Sequence, residues 1–134
     1  LHDALPILKS YGGEVLGGIS SMDTILLLKE KANIITIVEG GVASAATFLS
    51  IVGTERWITR NSYMLIHQIS FGTWGKYKEV VDEVKNSDKF MEMLKKIYFQ
   101  YTKVPDEEIN EILDHDLWWD AEMCYKYGMV DKII

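Results

Sequence analysis

The run Asn33-Ile34-Ile35-Thr36-Ile37-Val38 constrains the fold most, because it is short, β-branched and apolar on both faces. Such a run reads as a buried strand that needs cover on both sides. The pair Gly40-Gly41 breaks it, and the mostly apolar stretch Val42–Val52 follows as a helix that Gly53 stops. A buried strand, a glycine turn and an apolar helix in succession point to an α/β layer structure.

The flanking segments extend that pattern. Ile7-Leu8-Lys9 reads as the tail of a strand, and Ser10-Tyr11-Gly12-Gly13 as a glycine turn. Gly17–Lys31 carries apolar residues at helical spacing. Arg56–Arg60 and Ser62–Ile66 read as short strands around Asn61, and Phe71–Gly75 as a loop. Lys76–Lys103 is one long helical pattern ended by Pro105, and acids at 106–108 start a short helix. Asp120–Tyr127 reads as a helix stopped by Gly128, with Met129–Ile134 as a closing strand. The order indicates one α/β domain over residues 1–134, in which Leu1–Pro6 carries little weight as native sequence.

Bulk properties exclude several function classes. A net charge of −6 argues against nucleic acid or an anionic membrane surface as a partner. No run approaches the roughly 20 apolar residues of a membrane span. The single cysteine, Cys124, rules out an internal disulfide and fits a reducing, cytoplasmic setting. No signal peptide is evident. The glycines build neither a P-loop nor a G-x-G-x-x-G turn, and Ser44 lacks the G-x-S-x-G frame. A metal site is poorly supported, since Asp114-His115-Asp116 is the only cluster.

The chemistry centres on Ser44. A serine at the start of a helix lies beside unpaired backbone N–H groups that can hold a developing negative charge. A capping or packing serine would look the same. Of three histidines, His67 lies at a strand exit beside a glycine loop, a common active-site position in α/β folds. His115 reads as solvated, and His2 falls in the uncertain terminus. Asp116 precedes Leu117-Trp118-Trp119, which reads as a buried aromatic patch that could anchor and orient it, and a solvated carboxylate is the other reading. Ala45 N–H and a donor from Gly12-Gly13 could together hold an oxyanion.

In this order the pieces resemble the proteolytic subunit of the Clp protease, from about Leu8 to Ile134. The carrying motifs are Ser10-Tyr11-Gly12-Gly13, Met22-Asp23-Thr24-Ile25 and Gly41-Val42-Ala43-Ser44-Ala45. They continue with Asn61-Ser62-Tyr63-Met64-Leu65-Ile66-His67-Gln68, Gly72-x-x-Gly75, His115-Asp116, Ala121-Glu122 and Tyr127-Gly128-Met129-Val130-Asp131. The resemblance implies stacked βαβ units of the ClpP/crotonase type, with Lys76–Lys103 in a protruding handle. It implies Ser44 as nucleophile, His67 as base, Asp116 as orienting acid, and Gly13 and Ala45 as oxyanion donors. Substrate would lie as an extended strand along Gly12, Gly13 and Val15 on one side and Ser70, Phe71 and Gly72 on the other. It further implies self-association into rings, a double heptamer at full length, fed by an AAA+ unfoldase. That partner uses the ATP, so no cofactor is expected here.

The chain departs from the pattern where Tyr11 and Ile69 replace usual prolines, which frees φ and restores an N–H at each. The upstream part of the family domain is also expected to be missing. Two alternatives stay open: a crotonase-like enzyme acting on coenzyme A thioesters, and an inactive ring subunit.

Overall fold

The computed structural model describes residues 2–134; Leu1 lies outside them. The elements are β1 (Asp3–Ala4), β2 (Ile7–Ser10), α1 (Val15–Leu28), β3 (Asn33–Ala43), α2 (Ala46–Ser50) and β4 (Glu55–Ile58). They continue with β5 (Tyr63–Leu65), α3 (Tyr77–Tyr101), α4 (Ile109–Asp114), α5 (Ala121–Lys126) and β6 (Lys132–Ile133). The architecture is α/β, with a parallel sheet built around β3.

β3 has two edges, and the fold uses both. On one edge β1 pairs with Asn33 and Ile34, and β2 with Ile37, Val38 and Val42, all parallel. On the other edge β4 pairs with Ile35–Val38, and β5 then takes over at Gly41–Ala43. β6 extends the sheet beyond β4.

The sequence expectation of a strand broken at Gly40-Gly41 is corrected here. β3 runs through both glycines to Ala43. Gly40 has φ +76°, a left-handed value that glycine adopts without a Cβ penalty. The pairing with β2 is irregular between Leu8 and Ser10 at the same level. The glycines therefore bend the strand where it changes partner from β4 to β5.

The next helix is also shorter than expected. Val42 and Ala43 are the last residues of β3, and α2 begins only at Ala46. Parallel pairing of Val42 and Ala43 with Met64 and Leu65 outweighs their helical spacing. At the C-terminus only Lys132 and Ile133 form a strand, again less than the Met129–Ile134 run suggested.

The core lies between the sheet and α2, α3 and α5. Val38, Val42, Phe48, Val52, Ile58, Met64, Tyr98, Cys124 and Met129 are almost wholly buried in it. α3 contributes only from its C-terminal half, through Leu94, Ile97 and Tyr98. Its first turns stand largely in solvent, as a protruding helix should. The Glu79 carboxylate caps them by accepting from Lys76 N–H at 2.9 Å.

One polar clamp ties the sheet to the helices. The Arg56 guanidinium donates to both carboxylate oxygens of Asp131, and also to the carbonyls of Tyr101 at 2.6 Å and Gly128 at 2.7 Å. This bidentate donation holds the Asp131 carboxyl below the ordinary carboxylate range. A depressed folded-state pKa contributes stability above the unfolded value, and that contribution fades as pH falls through the folded one. Asp131→Asn is therefore expected to lower the thermal midpoint at pH 7. Its deficit relative to wild type should shrink in melts taken below the ordinary carboxylate range. A deficit independent of pH would remove the ionic explanation.

Candidate active site

Three neighbouring strand ends and one bridged segment meet at one edge of the sheet. β2 leads into Gly12-Gly13, β3 into Ser44, and β5 into Ile66-His67. The fourth contact is an antiparallel bridge between Met64 and Trp119, which brings in the segment that carries Asp116. Open parallel sheets place their sites in such a crevice at the carboxyl ends of strands.

Ser44 lies in the turn between β3 and α2, outside the helix that the sequence suggested it opens. Its φ is +57°, and it is the only non-glycine residue with positive φ among the described residues. A side chain in this region costs about 1–2 kcal/mol and is kept only where neighbours over-determine it. Here the Ser44 N–H donates to Leu65 O at 2.9 Å, and the Ser44 carbonyl accepts from Thr47 N–H at 3.0 Å. Both bonds hold the turn so that the hydroxyl stands out from the strand–helix junction.

Ser44, Gly13, Val15, Ala45, His67 and Ser70 line one small cleft of about 50 Å³, floored by Phe48, Leu94 and Tyr98. The N–H groups of Gly13 and Ala45 have no hydrogen-bond partner among the described residues. Both are thus available to a bound oxygen. Gly12 (φ +96°) packs directly on the Ser44 turn, with Ala43 O and Ala45 N as near neighbours. It also lines the adjoining recess with Gly13, Ala45 and Ala46.

His67 is half-buried, and its Nδ1 is in hydrogen-bond contact with the Gln68 carbonyl. A carbonyl can only accept, so Nδ1 carries the proton and Nε2 is left as the basic nitrogen. Asp116 Oδ1 lies 4.0 Å from the same Nδ1, beyond hydrogen-bond length, with its side chain 81% exposed. The expectation of an anchored acid is corrected. Leu117 and Trp118 are exposed, and only Trp119 packs inward, stacked on Tyr127. An acid beside solvated side chains is not held in place.

Phe71 and Gly72 do not join the cleft. Both are exposed in a segment without regular structure, and a Cβ at Gly72 would meet nothing within 4 Å. Of the expected substrate-contacting residues, Gly13, Val15 and Ser70 line the cleft and Gly12 the recess beside it. The sequence assigned Tyr98 to a packing stripe of the long helix. The structure sends its hydroxyl under the Ser44 turn, where it meets Thr47 Oγ1 at 2.7 Å. Helical spacing predicts burial of such a residue, but not which buried hydroxyl it will meet.

Comparison with known proteins agrees with this architecture. The family model for Clp protease matches residues 3–134. The chain belongs to the Clp protease family. It is 34% identical over 128 residues to the ATP-dependent Clp protease proteolytic subunit of Oltmannsiellopsis viridis, covering 94% of this chain and 65% of that protein. It is 32% identical over 127 residues to proteolytic subunit 3 of Streptomyces coelicolor, covering 93% of this chain and 58% of that protein. It is 30% identical over 129 residues to proteolytic subunit 1 of Streptomyces avermitilis, covering 95% and 58%. The chain thus spans 58–65% of the length of these Clp protease subunits. A crotonase-like enzyme and an inactive ring subunit are not favoured by these matches. No helix among the described residues is long and apolar enough to cross a membrane.

Proposed function

We propose that this chain is a serine endopeptidase that cleaves unfolded polypeptides through an acyl-enzyme, as the proteolytic component of an ATP-dependent Clp-type protease. The observation that carries the reading is the single cleft that joins a left-handed Ser44, His67 and the free N–H groups of Gly13 and Ala45. His67 Nε2 takes the Ser44 proton as Oγ bonds to the peptide carbonyl carbon. The N–H groups of Gly13 and Ala45 hold the oxyanion. The proton passes to the leaving amine, and water then releases the acyl group by the same path. This chemistry requires no metal or organic cofactor. Substrate lies extended between Gly12, Gly13 and Val15 on one side and Ser70 on the other, so main-chain pairing binds it with little regard to sequence. Rings of this chain and an ATP-driven unfoldase in the cytoplasm complete the proposal; the relatives are named as proteolytic subunits of an ATP-dependent protease, which supports a separate ATP-using partner.

A fluorophosphonate probe tests the reading. The assembled protein should be labelled on Ser44, and His67→Ala should slow labelling by about 100-fold or more. An assembled particle that is never labelled would overturn the reading. Asp116 is the third member of the set, but its pair with His67 is long and exposed. The Gln68 carbonyl already selects the tautomer. Asp116→Asn should therefore slow labelling only about fivefold, the scale of an exposed ion pair. A loss near 10⁴-fold, as in a buried triad, would show that Asp116 closes on His67 during reaction.

A further inference from the structure

Beneath the cleft a chain of buried hydroxyls ends on the nucleophile's own carbonyl. Thr47 Oγ1 lies 2.6 Å from Ser44 O and 2.7 Å from Tyr98 Oη. A carbonyl cannot donate, so the one hydrogen on Thr47 Oγ1 goes to Ser44 O. Tyr98 must then donate its hydrogen to Thr47 Oγ1. Both residues are wholly buried, and burial pushes the Tyr98 hydroxyl well above its ordinary pKa, so it keeps the proton it donates. The order is fixed: Tyr98 to Thr47 to Ser44 O.

That carbonyl shares a planar trans peptide with Ala45 N–H, and the two groups point in opposite directions. Drawing Ser44 O inward, toward Thr47, turns Ala45 N–H outward, toward Gly12 and the cleft. We propose that the Tyr98–Thr47 hydroxyl pair is a positioning strut that sets the Ser44–Ala45 peptide so that Ala45 N–H serves as an oxyanion donor. The strut reaches across from α3, the helix whose far half protrudes into solvent, and so ties that helix to the cleft. The inference rests on the reading of Ser44 as nucleophile; its test separates the two.

Three variants bear on it. Tyr98→Phe removes only the hydroxyl and keeps the ring against Phe48. Thr47→Val removes the relay oxygen at nearly constant shape, and Thr47→Ser retains it. Fluorophosphonate labelling should slow about fivefold in Tyr98→Phe and about tenfold or more in Thr47→Val, part of what losing an oxyanion donor costs. Thr47→Ser should stay within about twofold of wild type, and the double variant should be no slower than Thr47→Val, since both changes cut one strut. Wild-type rates in both single variants would overturn the strut while leaving the peptidase reading intact. So would Thr47→Ser as slow as Thr47→Val, which would mean packing rather than the hydroxyl. If Thr47→Val does not fold, Tyr98→Phe and Thr47→Ser decide alone. If wild type is not labelled, the peptidase reading falls, and a crystal structure of Tyr98→Phe judges the strut. A rotated Ser44–Ala45 peptide would uphold it, and an unmoved one would overturn it.

Discussion

Ser44→Ala is expected to abolish fluorophosphonate labelling and to reduce peptide hydrolysis by at least about 10⁴-fold, the usual cost of deleting a serine nucleophile. No thiol stands ready to replace it. Cys124 is the one thiol, and it is buried in the core with its pKa pushed up to about 12 by burial. A neutral, buried thiol that does not line the cleft cannot attack a carbonyl there. The substitution should leave the fold intact. Alanine adopts the left-handed region about as poorly as serine. The Ser44 backbone bonds to Leu65 and Thr47 do not involve the hydroxyl. The thermal midpoint should therefore match wild type. Hydrolysis by Ser44→Ala above about 1% of wild type would mean that another residue carries the chemistry.

Gly12→Ala should have the second largest effect, for a geometric reason. Gly12 sits at φ +96°, where an L side chain is strained. Its new Cβ would also lie 2.7 Å from Ser44 Cβ and 2.8 Å from Ala43 O. Neither atom is the end of a flexible side chain, so the nucleophile turn itself must move. A displacement of a few tenths of an ångström or more shifts Ser44 and Ala45 N–H together, and labelling should fall about 100-fold or more. Gly17→Ala provides the contrast. That residue lies in α1, and its Cβ would make an ordinary 3.7 Å contact with Glu14. It should stabilise the chain by up to about 1 kcal/mol and leave labelling unchanged. Equal labelling in wild type and Gly12→Ala would show that the turn is looser than its packing implies.

The comparison of sequence with structure divides along physical lines. The run at 33–38, the glycine turn at 10–13 and the helix that begins near Lys76 were legible because each is a local pattern of period or turn chemistry. Gly128 at the end of α5 was legible for the same reason, and it has the expected left-handed φ of +65°. The helix expected over Val42–Val52 was mostly strand and turn at its start. An apolar run of mixed propensity does not announce whether a parallel neighbour will claim its first residues. Gly40-Gly41 read as a break because two glycines are a turn signal on their own. Only the exchange of β4 for β5 along one edge of β3 makes them a bend within a strand.

The site divides in the same way. The residues proposed to bear the chemistry were candidates from type and order, Ser44 after a strand and two glycines, His67 at the end of another strand, and Ala45 with the Gly12-Gly13 turn as N–H donors, and the family resemblance singled out Gly13. Their convergence in one cleft, the left-handed Ser44, the looseness of Asp116 and the Tyr98–Thr47 contact were not legible. Tyr98 lies 51 residues from Thr47 along the chain. Such distances are set by how helices and strands pack, and no local pattern encodes which two distant hydroxyls will share a hydrogen. By itself the sequence determined the α/β layering and the candidates for the reactive residues, because propensity and side-chain chemistry are properties of short segments. The tertiary structure alone decided which N–H groups lie beside Ser44 and which buried hydroxyls pack under its turn, because orientation comes from long-range packing and buried polar pairing.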